Sequence, residues 1–386
     1  MKRYLPLVAG VVAFGAASAH AQSSVTLYGI VDAGVNYVSN VAGHSMTSAT
    51  SGTLSSSRWG LNGTEDLGGG LRAQFSLENG FDVMSGKAAQ NGRLFGRHAY
   101  VGLVSDRYGS VLLGRQWDIF GDYLWQANAS NRFGGVIATH PGDVDNLDSS
   151  YKTNNAVKYL SPSFNGFSFG GVYGFGNQAG SMSRNAMWST GVHYQNRSLN
   201  LGAGYANFNR INTASMDGSG AAKGTLLVAP PVFSGYLSAE RMEIYALGGT
   251  YQVGKWTLGG SFSHTRFSNL GSDAGPNRLH YHDDVLFFNG EVNALYAVTP
   301  SLYTGVVYHY TWSRPHDEQG GARYHQGGFT IDYSLSKRTD VYILAQYQHA
   351  SGTDSLGESA VANLDGFSAS NSSNQYVTRV GVRHRF

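Results

Sequence analysis

The chain has no cysteine, no long apolar run beyond its first residues and almost no net charge. Without cysteine, disulfides cannot hold the fold together, so stability has to come from the fold itself. A membrane-spanning helix needs about 20 consecutive apolar residues, and no such run follows residue 21, which excludes helical spans from the rest of the chain. The 27 basic side chains, less Lys2 and Arg3, equal the 25 acidic ones, so the charge gives no indication of nucleic acid binding.

The first residues have the pattern of a secretory signal peptide. Lys2 and Arg3 precede an apolar run from Leu5 to Ala17, and Ala19-His20-Ala21 forms an A-x-A cleavage site. No other helix-like stretch follows against which a short core helix could pack. We therefore expect residues 1–21 to be removed on export, leaving 22–386 as the mature chain.

Most of the remaining sequence alternates between apolar and polar residues with a period of two. Leu71, Ala73, Phe75 and Leu77, for example, alternate with Arg72, Gln74, Ser76 and Glu78, so that an apolar face opposes a charged one. Strands of about ten residues with such faces are typical of membrane β-barrels. The pattern predicts sixteen strands, near residues 25–37, 58–65, 71–78, 94–104, 109–117, 154–161, 166–176, 185–195, 199–209, 240–252, 256–268, 285–298, 302–313, 323–334, 339–350 and 375–386.

The connections between these strands also alternate. Short turns are followed by longer loops that are rich in Gly, Ser, Asn and Asp. Outer-membrane barrels have short turns at one end and long loops at the other, whereas a soluble sandwich has no reason to do this. Aromatic residues near strand ends, where a barrel has its interfacial girdles, favour the same interpretation. The sequence thus predicts an all-β, antiparallel transmembrane barrel.

The last strand separates its two faces clearly. Val380 and Val382 lie on an apolar face, while Arg379, Arg383 and Arg385 lie on the other, and the chain ends at Phe386. Three arginines on one face require water, so this face is expected to line a wet lumen. Val380→Arg is therefore expected to destabilise the barrel much more than Arg379→Val.

One stretch follows neither the strand period nor the helix period. It runs from Arg115 to Lys158, between two predicted strands, and contains five aspartates, several bases and aromatic residues. An irregular stretch of this length is usually functional where it occurs. We expect residues 116–154, approximately, to fold into the barrel and narrow its bore.

Several blocks of sequence resemble the Gram-negative general porins of the beta-proteobacterial type. They are SSVTLYGIVDAG, SRWGLNGTEDLGGGL, GRHAYVGL, GSVLLGRQ, NNAVKYLSP and the terminal VGVRHRF, and they cover essentially the whole mature chain in the right order. The resemblance implies a sixteen-stranded homotrimer in the outer membrane, surrounded by lipid and lipopolysaccharide. It also implies passive diffusion of small hydrophilic solutes and ions, with no cofactor and no nucleic acid partner.

The resemblance further implies a constriction in which acidic groups of the third loop face basic residues of the wall. By motif, the basic residues are Arg58 in SRWG, Arg97 in GRHAYVGL and Lys152 just before NNAVKY; Arg72 is added because it shares the polar face of its strand. The alternative is that these bases only solvate a polar lumen.

The tip of the third loop departs from the family pattern. Where many of these porins carry a proline and a glutamate before Phe-Gly-Gly, this chain has Asn131 and Arg132. Asp143, Asp145 and Asp148 are the acids that remain to face the bore, and the sequence does not say which of them does so. With Arg132 at the tip, we expect weak selectivity that leans towards anions.

Other functions receive less support from the sequence. His280, His282, Asp283 and Asp284 resemble a metal-binding cluster but fall in a predicted loop, and no serine lies in a recognisable nucleophile turn. An outer-membrane hydrolase and a structural or adhesive barrel remain as alternatives. Small outward residues on the early strands, namely Gly29, Ala33, Gly63 and Ala73, suit close packing against another subunit, with the loop 80–93 as a candidate latch.

Overall fold

The computed structural model describes residues 23–211, 230–273, 275–314 and 321–386. The predicted signal peptide lies outside these residues. Within them, no helix is long and apolar enough to cross a membrane.

The described residues form one antiparallel sheet of seventeen strands. The strands are β1 Ser24–Val41, β2 His44–Ser51, β3 Arg58–Gly68, β4 Leu71–Gly80, β5 His98–Ser105, β6 Gly109–Gln116, β7 Thr153–Leu160, β8 Phe167–Gly174, β9 Met187–Gln195, β10 Leu199–Asn209, β11 Arg241–Val253, β12 Trp256–Ser268, β13 Val285–Thr299, β14 Leu302–Arg314, β15 Arg323–Ser334, β16 Thr339–Ser351 and β17 Asn374–Arg385. Helical segments are short: α1 Ala89–Gly92, α2 Ile119–Tyr123, a π turn at Ser130–Gly134 and 3-10 turns at Val136–Ala138, Pro141–Asp143 and Ser234–Tyr236.

The first and last strands close the sheet into a barrel. β1 pairs with β17 from Ile30 opposite Arg385 to Val38 opposite Val377. On its other edge, the first half of β1 pairs with β3 and the second half with β2. β2 and β3 therefore share one position in the wall, and the barrel has sixteen strand positions, which confirms the predicted fold.

Only β2 was not predicted from the sequence. Apart from Met46, its residues, HSMTSATS, are polar or small on both faces and so lack the alternation that identifies a strand half-buried against a core. The segment becomes a strand because it extends the ladder that β1 offers beyond the end of β3, with Ala33 to Val38 opposite Ser51 to Met46.

Seven short turns lie at one end of the barrel, as predicted, while the short Ala42-Gly43 turn between β1 and β2 lies at the other end. The seven turns join β3 to β4, β5 to β6, β7 to β8, β9 to β10, β11 to β12, β13 to β14 and β15 to β16. The start of β1 and the end of β17 lie at the same end, where Gly29 and Phe386 exchange backbone hydrogen bonds of 3.1 Å. We name this the turn end and the opposite end the loop end.

The outer face of the wall is apolar. Val380 on β17 is 62% exposed, whereas its neighbour Arg379 is only 1% exposed on the other face. Two outward glycines that we had interpreted as space for a neighbouring subunit are covered by rings of their own chain. The ring of Phe386 lies over Gly29, and the ring of Phe75 lies over Gly63, at the position a Cβ atom would take.

Candidate functional site

The irregular segment between β6 and β7 is built from short turns, which explains its lack of periodicity. Asp118 caps α2 by accepting hydrogen bonds from the amides of Phe120 and Gly121, at 3.0 and 3.3 Å. α2 then packs against β8, β9 and β10. A Cβ atom on Gly204 of β10 would lie 3.0 Å from the ring of Phe120, so the bare strand position provides the space that this ring fills.

Segment 117–152 has its own apolar core against the wall. The buried side chains include Ile119, Phe120, Leu124, Val144 and Leu147, and they form one cluster with strand residues such as Ala206, Ile244 and Phe287. Burial of each large side chain contributes about 1.5–3 kcal/mol. The segment is therefore a packed part of the fold.

Hydrogen bonds attach the middle of this segment to polar side chains of the wall. The amide of Ala129 donates to Glu291 Oε1 at 2.7 Å, and Thr330 Oγ1 donates to the carbonyl of Phe133 at 2.8 Å. Gln326 Nε2 donates to the carbonyl of Ile137 at 2.9 Å. On these strands, such polar residues alternate with exposed apolar ones, so the segment contacts the polar face of the wall.

A buried ionic network forms a second attachment, which we name the His140 latch. His140 Nδ1 lies 2.7 Å from Asp145 Oδ2, and its Nε2 lies 3.3 Å from Glu291 Oε2. Ser263 and Asn289 of the wall also donate to Asp145. Burial alone would lower the pKa of His140, but the two carboxylates outweigh it and raise this pKa well above its usual value. Burial opposes ionisation of Asp145, yet His140 and the hydrogen bonds lower its pKa.

Asp143 also has a role within the segment. It accepts hydrogen bonds from the amides of Asp148 and Ser150 at 3.0 and 2.9 Å. Burial and the nearby Asp148 and Asp145 raise its pKa well above the usual range. Asp143 and Asp145 are thus buried away from the basic wall residues that we expected them to face.

A cavity of about 370 Å³ lies between segment 117–152 and the wall. We name it the basic cavity because six cationic side chains line it, with Asp148 as the acidic side chain among its lining residues. The cationic residues are Arg58, Arg97, Arg132, Lys152, Arg383 and Arg385, and two indoles, Trp117 and Trp125, also line it. Burial raises the pKa of Asp148 to about 6, so its side chain loses its negative charge in mildly acidic solution.

Of the basic residues predicted for the site, Arg58, Arg97, Arg132 and Lys152 come together in this cavity, whereas Asp143 and Asp145, which were predicted to face them, do not line it. Arg97 Nε lies 2.6 Å from Glu78 Oε1, and Arg58 Nε lies 3.3 Å from Glu78 Oε2. One carboxylate therefore holds two guanidinium groups in the wall. Arg132 donates to Asn293 of β13, and Lys152 donates to the carbonyl of Ser149.

Arg72 is not brought to this cavity. Its Nη2 lies 2.7 Å from Asp106 Oδ1 at the turn end, and both side chains are exposed. Strand parity correctly indicates which face of the wall carries Arg72, but parity gives no information on height along the barrel.

Two arginines of the last strand belong to the cavity although they were not assigned to the site from sequence. Arg383 pairs with Asp340 and Asp332 at 3.0 Å each, and its Nη1 donates to Ser55 Oγ at 2.9 Å. Arg385 lies 2.7 Å from Asp340. The signal that could have identified them was their alternation with apolar residues up to the end of the chain.

A second cavity, of about 400 Å³, adjoins the first. Arg58, Arg97, Trp117 and Trp125 line both cavities, so these four residues form the boundary between them. Among the described residues, no group of His, Cys, Asp and Glu is arranged to hold a metal ion; His280 and His282 lie in the connection between β12 and β13.

Comparison with known proteins identifies the family. The sequence profile described as Gram-negative porin matches residues 8–353. An outer membrane porin protein of Bordetella pertussis is 30% identical over 424 residues, and outer membrane porin protein 32 of Delftia acidovorans is 30% identical over 398 residues, with 100% of each chain covered in both cases.

Solved structures give the same result. An anion-selective porin from Comamonas acidovorans superposes with a TM-score of 0.75 at 25% identity, covering 95% of this chain and 100% of the other. The trimer form of OmpT from Vibrio cholerae superposes with a TM-score of 0.65 at 18% identity, covering 94% and 99%. The relatives from Bordetella, Delftia and Comamonas are described as porins, which are channels rather than enzymes. The chain belongs to the Gram-negative porin family and forms a channel in the outer membrane.

Proposed function

We propose that this porin is a diffusion channel whose bore is narrowed by segment 117–152 and favours small anions over cations. The observation that carries the proposal is the basic cavity, where six cationic side chains meet at the boundary between the segment and the wall. The apolar core of the segment and its hydrogen bonds to Glu291 and Thr330 support an inward position, because both contacts lie on the polar face of a closed barrel.

The size of the preference follows from the carboxylates around the six cations. Glu78 balances one of Arg58 and Arg97, and Asp332 and Asp340 together balance Arg383 and Arg385. The remaining carboxylate, that of Asp148, balances one of the two remaining cations, Arg132 and Lys152. Six cations against these four carboxylates leave a formal excess of two positive charges. Low-dielectric walls focus the field of such an excess and concentrate counter-ions in the bore, while salt screens it.

The similarity to the Comamonas acidovorans porin, which is described as anion-selective, supports this sign of selectivity. The field of the cavity acts on small ions and hydrophilic solutes in general. We therefore expect the channel to prefer anions weakly and still to conduct cations.

We also propose a homotrimer, embedded in lipid and lipopolysaccharide after residues 1–21 have been removed. The connection between β4 and β5 exposes two large apolar side chains, Met84 at 44% and Leu94 at 62%. Exposed apolar side chains on a loop suit a contact with another subunit. The trimer form described for the structurally similar OmpT of Vibrio cholerae supports the same assembly.

The ionic preference is tested by the zero-current potential of the purified porin across a KCl gradient in a planar bilayer. We expect a potential of the sign that anion preference gives. Arg97→Ser and Arg132→Glu remove positive charge from the basic cavity and should each shift the potential towards cations. High salt should reduce the shift, because the Debye length falls from about 10 Å at 0.1 M to about 3 Å at 1 M.

The matched control is Arg72→Ser, which removes an arginine from the same face of the wall but outside the cavity. Its potential should stay close to that of the unmodified channel. If Arg72→Ser shifts the potential as much as Arg97→Ser does, the charge of the whole lumen sets selectivity and the basic cavity does not.

A further inference from the structure

Two tryptophans form an aromatic wall at the boundary between the two cavities. The ring centroids of Trp117 and Trp125 are 4.9 Å apart and their planes differ by 15°, so the indoles are stacked. His98 packs edge-on against Trp117, with the ring centroids 4.5 Å apart and the ring planes at 78°. Both tryptophans are half-buried, which leaves part of each indole open to the cavities that they line.

Packing within the fold does not account for this pair. The apolar core beneath segment 117–152 is made of residues such as Ile119, Phe120 and Leu124, and neither tryptophan belongs to a buried apolar cluster. Within the described part of the chain, the indole Nε1 of Trp117 has no hydrogen-bond partner. A channel used only by hydrated inorganic ions gains nothing from an open aromatic surface at this boundary.

The cationic groups lie next to the same surface. Arg58 and Arg97 border both cavities together with the indoles, and Arg132 lines the first. The Nε and Nη1 atoms of Arg132 have no hydrogen-bond partner among the described residues. These two nitrogens are buried and do not form an open fork, so Arg132 contributes to the cavity through its positive charge, which attracts a carboxylate.

We propose that the channel preferentially admits small aromatic carboxylates, with the ring against Trp117 and Trp125 and the carboxylate towards Arg58, Arg97 and Arg132. The proposal rests on the anion preference proposed above and names the class of anion. Aromatic rings attract one another in offset-stacked and edge-to-face arrangements. A cavity of about 150 Å³ can hold one benzene ring, so the basic cavity of about 370 Å³ has room for a single-ring acid and water.

Binding at this surface has to be weak enough for release. The two cavities on either side of the boundary provide successive sites, which allows a solute to move on after a short stay. An aromatic acid should therefore reduce the chloride current while it occupies the boundary.

The experiment compares two acids of equal charge and similar size, benzoate and cyclohexanecarboxylate. Each is added to the full porin in a planar bilayer, and the concentration that halves the KCl current is measured. We expect benzoate to act at about three- to tenfold lower concentration, which is the factor expected from one aromatic contact. In Trp117→Leu and Trp125→Leu, the ratio of the two half-blocking concentrations should fall towards one. Trp125→Phe should retain most of the preference for benzoate.

The control is Trp188→Leu, which removes an indole that is 38% exposed on the outer face of the barrel. It should leave the preference for benzoate unchanged. Equal half-blocking concentrations for the two acids in the unmodified channel would overturn the proposal, as would a benzoate preference that survives in the double variant Trp117→Leu/Trp125→Leu.

The KCl gradient, measured in the same membranes before either acid is added, separates the two proposals. A zero-current potential whose sign indicates cation preference contradicts the anion preference itself. A potential with the anionic sign, together with equal block by both acids, contradicts only the aromatic preference. Insertion of each variant into the bilayer as stable open channels in KCl, whatever their conductance, shows that it has folded.

Discussion

At the scale of single residues, Arg379 is the clearest case of a charge whose environment decides its role. Its Nη2 lies 3.0 Å from Asp32 Oδ1. It also donates hydrogen bonds to the side-chain oxygens of Tyr342, Asn36 and Thr50. Both members of the ion pair are fully buried. Arg379 is therefore part of the seam where β17 closes against β1, and it does not line the basic cavity.

This environment changes what is expected of Arg379→Val. Alternation alone predicts a mild effect, but the variant leaves Asp32 buried without its partner, which costs about 3–5 kcal/mol. We expect its thermal unfolding to occur well below that of the unmodified porin. Val380→Arg, which directs a charge at lipid, should cost about 2–4 kcal/mol near the middle of the bilayer. The unfolding temperature in detergent measures both.

The double variant Asp32→Asn/Arg379→Met is the control, because it removes both charges together. It should recover much of the stability that Arg379→Val loses. An Arg379→Val protein that unfolds at the temperature of the unmodified porin would show that the seam does not depend on this ion pair.

At the scale of elements, the His140 latch couples segment 117–152 to the wall. The raised pKa of His140 means that its stabilising charge is fully present below about pH 6.5 and is lost as the pH rises through that raised value. The lowered pKa of Asp145 means that its contribution is present above about pH 4 and is lost as the pH falls through that lowered value. The attachment is strongest between these limits.

We therefore expect the segment to loosen in alkaline solution, because neutral His140 no longer pairs with Asp145 and Glu291. Single-channel recordings should show more frequent brief closures as the pH is raised from neutral. His140→Gln should show frequent closures that no longer depend on pH. The half-buried His349, which contacts Asn374 on the outer face of the barrel, gives the control variant His349→Gln. Closures with the same pH dependence in His140→Gln would exclude the latch as their cause.

The same segment shows where sequence reasoning reaches its limit. In a strand, parity determines the direction of each side chain, so Arg58 of β3 could be placed on the correct face. Arg97 precedes β5 and could be assigned only by its sequence motif. In segment 117–152, Asp143, Asn146 and Ser149 have positive φ angles, and each reverses the local direction of the chain. Which aspartate faces the cavity is therefore decided by turn geometry and tertiary contacts. The sequence identified the acids but could not distinguish Asp148 from Asp143 and Asp145.

At the scale of the whole molecule, the sixteen strand positions, the common end of the seven short turns between predicted strands and the two faces of the wall were predictable. These features follow from alternation and connection length, which are local and repeated along the chain. The pairing of β1 with both β2 and β3 was not predictable, since it depends on where one long strand extends beyond its neighbour.

The proposed trimer is tested through the exposed apolar residues between β4 and β5. We expect native mass measurement in mild detergent to show trimers of the unmodified porin. Leu94→Arg should weaken them, because it places a charge in an apolar contact. Met182→Arg is the control, since Met182 is 74% exposed in a different loop, between β8 and β9. Only monomers in the unmodified sample would contradict the trimer.

The division of one wall position between β2 and β3 has a consequence for how such a channel can diversify. The residues between the two strands, Gly52 to Ser56, line the basic cavity, and the carbonyl of Thr53 accepts a hydrogen bond of 2.8 Å from Val136. Two loops that contact each other therefore border the basic cavity. Insertions or deletions in residues 52–56 are expected to change the size of the basic cavity and, through the contact of Ser55 with Arg383, the position of one of its charges. Arg97 stays held by Glu78 of the wall, so part of the ionic preference can persist while solute size changes.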